Sequence, residues 1–129
     1  MLTLFNNNNR YAAAVQLTSD SRFKNQIRSL TGNGIETIKK LEGVRYGWRQ
    51  DEFPQRNFDN RTHSGFIAQE VEKVLPEAVQ TGDDGYKSIA YYEIIPSLVE
   101  ALKEQQTIID DMEKRMKAIE EMIKEMSER

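Results

Sequence analysis

The chain has 129 residues, enough for one domain with a modest core or for a small domain with an appendage. It is 30% charged and 38% hydrophobic with a net charge of −3, which excludes a wholly disordered or membrane-embedded chain and argues against nucleic acid as a partner. With no cysteine and a single histidine, His63, it lacks the ligands of a thiolate or His-rich zinc site, so neither metal nor cofactor is expected.

Residues 1–18, "MLTLFNNNNRYAAAVQLT", set an asparagine run between two short apolar stretches. Asparagine tolerates left-handed turn conformations, so the segment reads as strand, turn, strand. Two strands alone are marginal in water, so this piece needs further sheet from a neighbouring chain or an upstream domain. A leader without fixed structure is the alternative. No basic region and apolar core follow Met1 as in a signal peptide, and no apolar run reaches the ~20 residues of a membrane span.

Residues 19–90 carry the pattern of a small mixed domain. "SDSRFKNQIRSLTGNG" has a polar start, apolar Phe23, Ile27 and Leu30 at spacings of four and three, and a glycine stop, which predicts a short helix. "GIETIKKLEG" repeats the pattern with Ile35, Ile38 and Leu41. Val44, Tyr46 and Trp48 alternate onto one face, as a strand does. "QDEFPQRNFDNRTHS" is polar and reads as a loop. "GFIAQEVEKVLPEAV" turns helical, with Ala68, Val71, Val74 and Leu75 on one side until Pro76. "TGDDGYKSIAY" places a Gly-Asp turn before a strand.

Residues 91–129 predict one long helix. Leu98, Leu102, Gln105, Ile109, Met112, Met116, Ile119, Ile123 and Met126 are spaced alternately four and three apart. That is a heptad seam, with Leu102, Ile109, Met116 and Ile123 at a and the others at d. Glu113 and Glu120 fall at e and Arg115 at g, the Arg115–Glu120 separation suiting an ion pair between parallel helices. A helix with one apolar stripe and no later partner in its own chain must find one in another copy. Isoleucine at both a and d, with Gln105 in the seam, favours a trimer over a dimer; packing of the helix onto its own globular domain is the competing arrangement. The expected fold class is therefore α+β: a small mixed domain, a short N-terminal β segment and a long C-terminal helix in a trimeric coiled coil.

The chemistry-bearing residues are few. A serine hydroxyl becomes a nucleophile when a base takes its proton, and a lysine serves as that base only when desolvation or nearby positive charge keeps it neutral. Ser19 and Lys24 are five apart, so a bend at residues 19 and 20 brings amine to hydroxyl. Ser21 and Lys24 are three apart and adjoin within a regular helix. The competing reading is that Ser19 or Asp20 caps a helix while Lys24 is solvated. His63 is a candidate acid or base, or a donor to a polarised carbonyl, although a lone histidine more often packs. Glu70 and Glu72, beside Lys73, read as solvated. "TGDDG" lacks the ligand count of a calcium loop, and "GNG" is no phosphate loop.

Three of these stretches resemble, in the right order, the peptidase S74 family of C-terminal intramolecular chaperone domains. "SDSRFK" is similar to its Ser-Asp-x-Arg-x-Lys motif, "GFIAQEVEKVLPEAV" to its most recognisable segment, and "YKSIAYYEIIPSLVEALKEQ" to the strand and helix start that follow. Such domains occur in phage tailspikes of the endosialidase type, tail fibres, neck appendage proteins and the myelin regulatory factor group. The resemblance spans about residues 18–129. It implies a trimeric folding aid that registers an upstream triple β-helix stalk of the same polypeptide and is then released by autoproteolysis.

On that resemblance residues 1–18 are the end of the β-stalk, 19–90 the chaperone-peptidase domain and 91–129 the coiled-coil helix. The family's Ser–Lys dyad falls on Ser19 and Lys24, giving a single-turnover self-cleaving serine peptidase. Thr18, Ser19 and Asp20 bracket the cut, with Arg22 and His63 as supporting candidates. Attack by Ser19 Oγ on the Thr18 carbonyl passes through a five-membered ring, against a strained four-membered ring for its own carbonyl; the bond after Ser19 stays open to another donor geometry. The implied partners are two further copies and the stalk, with no nucleic acid and no membrane. The implied setting is the host cytoplasm during virion assembly, the upstream part ending in the virion. The rival is a non-catalytic trimerisation or host-binding tip that stays attached. The membrane-anchored transcription-factor group is disfavoured, since neither a basic DNA-binding module nor a membrane span is present.

Overall fold

The computed structural model describes Thr3–Phe5 and Ala12–Ala14 through their backbone, and residues 17–129 with side chains. It divides into two units, one of residues 1–29 and 43–66, the other of residues 30–42 and 67–129.

In the first unit, β1 (Thr3–Phe5) pairs antiparallel with β2 (Ala12–Ala14), Leu4 opposite Ala13. These are the two strands expected from the pattern; the asparagine run expected to make the turn between them lies outside the described residues. β3 (Val44–Tyr46) pairs antiparallel with β4 (His63–Gly65), Tyr46 opposite His63. The connection holds a 3-10 turn at Pro54–Arg56, closed by Asn57 in the left-handed region (φ 49°) that asparagine adopts more readily than most residues. The stretch expected to be loop through Ser64 thus ends earlier, because its last residues join a ladder.

The helix expected from Ser19 to the glycine stop does not form. Residues 21–23 make one 3-10 turn, Ser21–Phe23, and Gln26 sits at φ 50°. The reason is physical. A short amphipathic helix takes its stability from packing its apolar face, and here Phe23 and Ile27 are 77% and 72% exposed. All of residues 17–33 are exposed, so the four-three spacing has no surface to act on.

The second unit contains α1 (Gly34–Lys39), α2 (Ala68–Val74), the β5–β6 hairpin (Val79–Thr81, Lys87–Ile89) and α3 (Ile95–Ser127). Leu75 precedes Pro76 and is driven out of helical conformation (φ −134°, ψ 76°), which ends α2 where the sequence places the stop. Val71, Leu75, Ala78, Ile94 and Ala101 are the buried apolar residues. The hairpin β5–β6 adds a strand that the pattern before "TGDDG" does not advertise. Its turn uses Gly85 at φ 84°, and Asp84 accepts from the Tyr86 N–H at 3.0 Å. Among the described residues no helix is long and apolar enough to cross a membrane.

α1 rests on the start of α3 so closely that a Cβ on Gly34 would overlap the backbone of Glu100 and Ala101. Glu104, one turn on, reaches back and accepts from the Gly34 and Ile35 N–H groups at 2.9 and 2.8 Å, satisfying donors that a helix start leaves open. These bonds, that from Ile35 foremost, hold the Glu104 carboxyl below the usual glutamate range. A carboxyl so lowered contributes stability that is complete above its unfolded value and is lost as pH falls through the folded one. Thermal melting of the wild type is therefore expected to drop between neutral pH and pH 3, and Glu104→Gln to show a shallower drop in the same circular-dichroism series.

The line Ser97, Ala101, Glu104 is one residue, about 100°, round the helix from Leu98, Leu102 and Gln105. α1 therefore leaves the seam open: Leu98 and Leu102 are 44% and 65% exposed even beside it. Beyond Glu104 every residue of α3 is exposed, a free length of about 35 Å at 1.5 Å per residue. Arg115 lies 3.9 Å from Asp111 of its own helix.

Candidate functional site

The exposed segment from Thr18 to Lys24 owes its shape to one capped turn. Asp20 is extended (φ −63°, ψ 134°) and its Oδ1 accepts from the Arg22 N–H at 2.9 Å, so the cap is Asp20 and not Ser19. The 3-10 turn Ser21–Phe23 follows, and Lys24 leaves it extended again (φ −110°, ψ 146°), its N–H bonded to the Ser21 carbonyl at 3.1 Å. This bend brings Lys24 Nζ to 2.7 Å from Ser19 Oγ, where the amine donates to the hydroxyl. In a regular α-helix residues five apart point about 140° away from each other. The pair meets because the helix is absent.

Arg22 turns its guanidinium back on the cap. Its Nε and Nη2 donate to Asp20 Oδ1 and Oδ2 at 3.1 and 2.9 Å, a two-pronged pairing. The Arg22 bonds, side chain first and backbone second, pull the Asp20 carboxyl below the usual aspartate range, and Asp20 raises the Arg22 guanidinium further. Both carboxylate oxygens are engaged within the turn.

His63 is held elsewhere in the same unit. Its Nε2 lies 2.8 Å from Asp59 Oδ1, and its ring stacks on Tyr46 at 5.7 Å between centroids and tilts against Trp48 at 5.8 Å. Trp48 in turn stacks face to face with Phe58 at 4.3 Å. The hydrogen bond to His63, then that from the Arg61 N–H, keeps the Asp59 carboxyl below its usual range. Among the described residues no hydrogen bond joins His63 to Ser19 or Lys24. Sequence reasoning placed Tyr46 and Trp48 on one face but missed Asp59; its position four residues before the histidine was the available signal.

Glu70 pairs with Lys73 at 3.0 Å, and Glu72 with Lys87 at 3.1 Å. Neither forms a carboxylate pair for acid–base work. The seam residues Leu98, Leu102, Ile109, Met112, Met116, Ile119, Ile123 and Met126 are all exposed, as is Gln105.

Comparison with known proteins gives this geometry a setting. The chain is 26% identical over 121 residues to the long tail fiber protein Gp37 of Salmonella phage S16. It is 29% identical over 117 residues to the Gp37 proteins of Enterobacteria phages K3 and T2. Each match covers 88% of this chain but only 16%, 9% and 8% of those relatives, so the chain spans a small part of their length. Residues 19–80, from the serine of the bonded pair to β5, match the family Peptidase_S74, described as "Chaperone of endosialidase". Residues 19–80 thus carry the likeness to the Peptidase_S74 family that the order of the motifs led us to expect.

Proposed function

We propose that the chain is a homotrimeric intramolecular chaperone for an upstream fibre stalk, which it registers and then leaves by cutting itself off at Ser19. The observation that carries the reading is the 2.7 Å contact of Lys24 Nζ with Ser19 Oγ at the first residue of the family match. The tail-fibre relatives support an assembly setting, and on this reading residues 1–18 end the stalk and 91–129 form the trimer's coiled coil. Threading three chains into one β-helix demands many non-local contacts before any of them rewards the ordering. A helix that forms locally and pairs through its seam makes that search nearly intramolecular.

The chemistry is an acyl transfer. A neutral Lys24 amine takes the Ser19 Oγ proton as Oγ bonds to the Thr18 carbonyl carbon. The Thr18–Ser19 C–N bond then breaks, and the lysine ammonium returns the proton to the departing Ser19 nitrogen. Water hydrolyses the resulting ester to a Thr18 carboxylate and a free Ser19 hydroxyl. The oxyanion would need a further donor, His63 or a backbone amide; His63 would have to supply it while its Nε2 is bonded to Asp59.

The test is a denaturing gel and intact mass of the longer polypeptide that includes the stalk. Wild type should yield two fragments separating beside Ser19, while Ser19→Ala and Lys24→Ala should each remain one uncut chain that still assembles. Cutting at this joint in Ser19→Ala would overturn the dyad. The rival, a tip that stays attached, draws on the full exposure of residues 17–33 and predicts uncut wild type.

A further inference from the structure

Two cations flank the reacting serine within one turn, and they do different jobs. Asp20 is the immediate neighbour of Ser19 and caps the turn that Lys24 closes. An aspartate so placed is a natural partner for the lysine amine. A lysine bound to a carboxylate is held in its ammonium form, with no lone pair to accept a hydroxyl proton. Yet the Asp20 oxygens are taken by the Arg22 N–H, Nε and Nη2, and the amine goes to Ser19 Oγ.

We propose that Arg22 is a positioning residue that occupies the Asp20 carboxylate and so leaves the Lys24 amine free for Ser19. The inference rests on the self-cleavage reading above and deepens it. The competition is decided by geometry: a guanidinium offers two parallel donors to one carboxylate, an ammonium only a point charge. The charged groups of the capped turn beside Lys24 are Asp20 and Arg22. Every residue from 17 to 33 is exposed.

The readout is the pH dependence of cleavage in the full polypeptide, refolded from denaturant into buffers from pH 6 to 10. Removing the guanidinium in Arg22→Gln frees a carboxylate beside the amine. The acid limb of the rate profile should then move up by about 0.5–1 pH unit, the low end for an opposite charge 4–6 Å away because the site is solvent-screened. Below that limb cleavage should be about three- to tenfold slower, the factor that such a shift implies. The defect should shrink in 1 M salt, where the screening length is about 3 Å.

Asp20→Asn added to Arg22→Gln should return the profile to within about twofold of wild type, because asparagine still caps the turn but carries no charge. Arg22→Lys, whose point charge pairs less well with the carboxylate than the two-pronged guanidinium, should move the limb by less than Arg22→Gln does. Light scattering of each variant in a Ser19→Ala background should give the wild-type assembly mass. A wild-type profile for Arg22→Gln, with Ser19→Ala uncut, would overturn this proposal and leave the dyad standing. So would loss of cleavage at every pH that Asp20→Asn does not rescue, which would make Arg22 merely structural. If Ser19→Ala is still cut, the self-cleavage reading and this proposal fall together.

Discussion

On the proposed trimer reading, Ile109→Asp combined with Met116→Asp is expected to leave the chain monomeric, seen as a fall to one chain's mass in light scattering. Both positions are a-sites of the seam, and both are exposed in the single chain, 48% and 58%. Burying an isoleucine or methionine fully is worth about 1.5–3 kcal/mol, repeated in every copy. An aspartate in its place brings an unpaired carboxylate towards an apolar axis and sets it against the same charge from each neighbour. The penalty per buried, unpaired ion is several kcal/mol. The same substitutions touch no part of the α1 contact, so far-ultraviolet circular dichroism should still report a folded second unit. The longer polypeptide should then remain uncut and its stalk unfolded, which ties assembly to both proposed activities. A trimer surviving the double substitution would sink the seam assignment.

Gly34→Ala is the second large expected effect. A methyl at this position collides with main-chain atoms of Glu100 and Ala101, and backbone cannot rotate away as a flexible side chain can. Overpacking of this kind costs about 1–3 kcal/mol, against which alanine's better helix propensity returns up to about 1 kcal/mol. α1 must lift from α3, which also pulls the Gly34 and Ile35 N–H groups off Glu104. Hydrogen exchange should show those amides and the rest of α1 losing protection together. Gly43→Ala is the control: a Cβ there meets nothing within 4 Å, so its exchange pattern should match wild type.

Much of the second unit was legible because its signals are local. The four-three spacing in α3, the proline after Leu75 and the apolar side of α2 each bound an element by properties of its own residues. The same spacing misled at Phe23, Ile27 and Leu30. Periodicity states which face a helix would bury, but only a surface to receive that face makes the helix form. The β5–β6 hairpin was half read, since the turn is written in "TGDDG" while Val79–Thr81 is three residues long, too short to show an alternation of its own. Asp59 was overlooked because a carboxylate in a polar loop looks solvated until the ladder puts His63 beside it.

The amino-acid sequence by itself determined the long helix and its apolar stripe, the strands at β1, β2, β3 and β6, and the order of motifs that resembles the family. These follow from spacing along one chain, where 3.6- and 2-residue periods and breaker residues act over a few positions. Tertiary structure alone decided that α1 takes the flank of α3 and leaves the seam bare. It also decided that residues 19–24 bend rather than coil, which seats Lys24 on Ser19 and Arg22 on Asp20. The contact of Gly34 with Ala101 joins residues far apart in the chain, and Ser19 meets Lys24 because the exposed residues 19–24 do not form the helix that their spacing would favour. Both outcomes depend on which surfaces are present to be buried, a quantity that no local pattern carries.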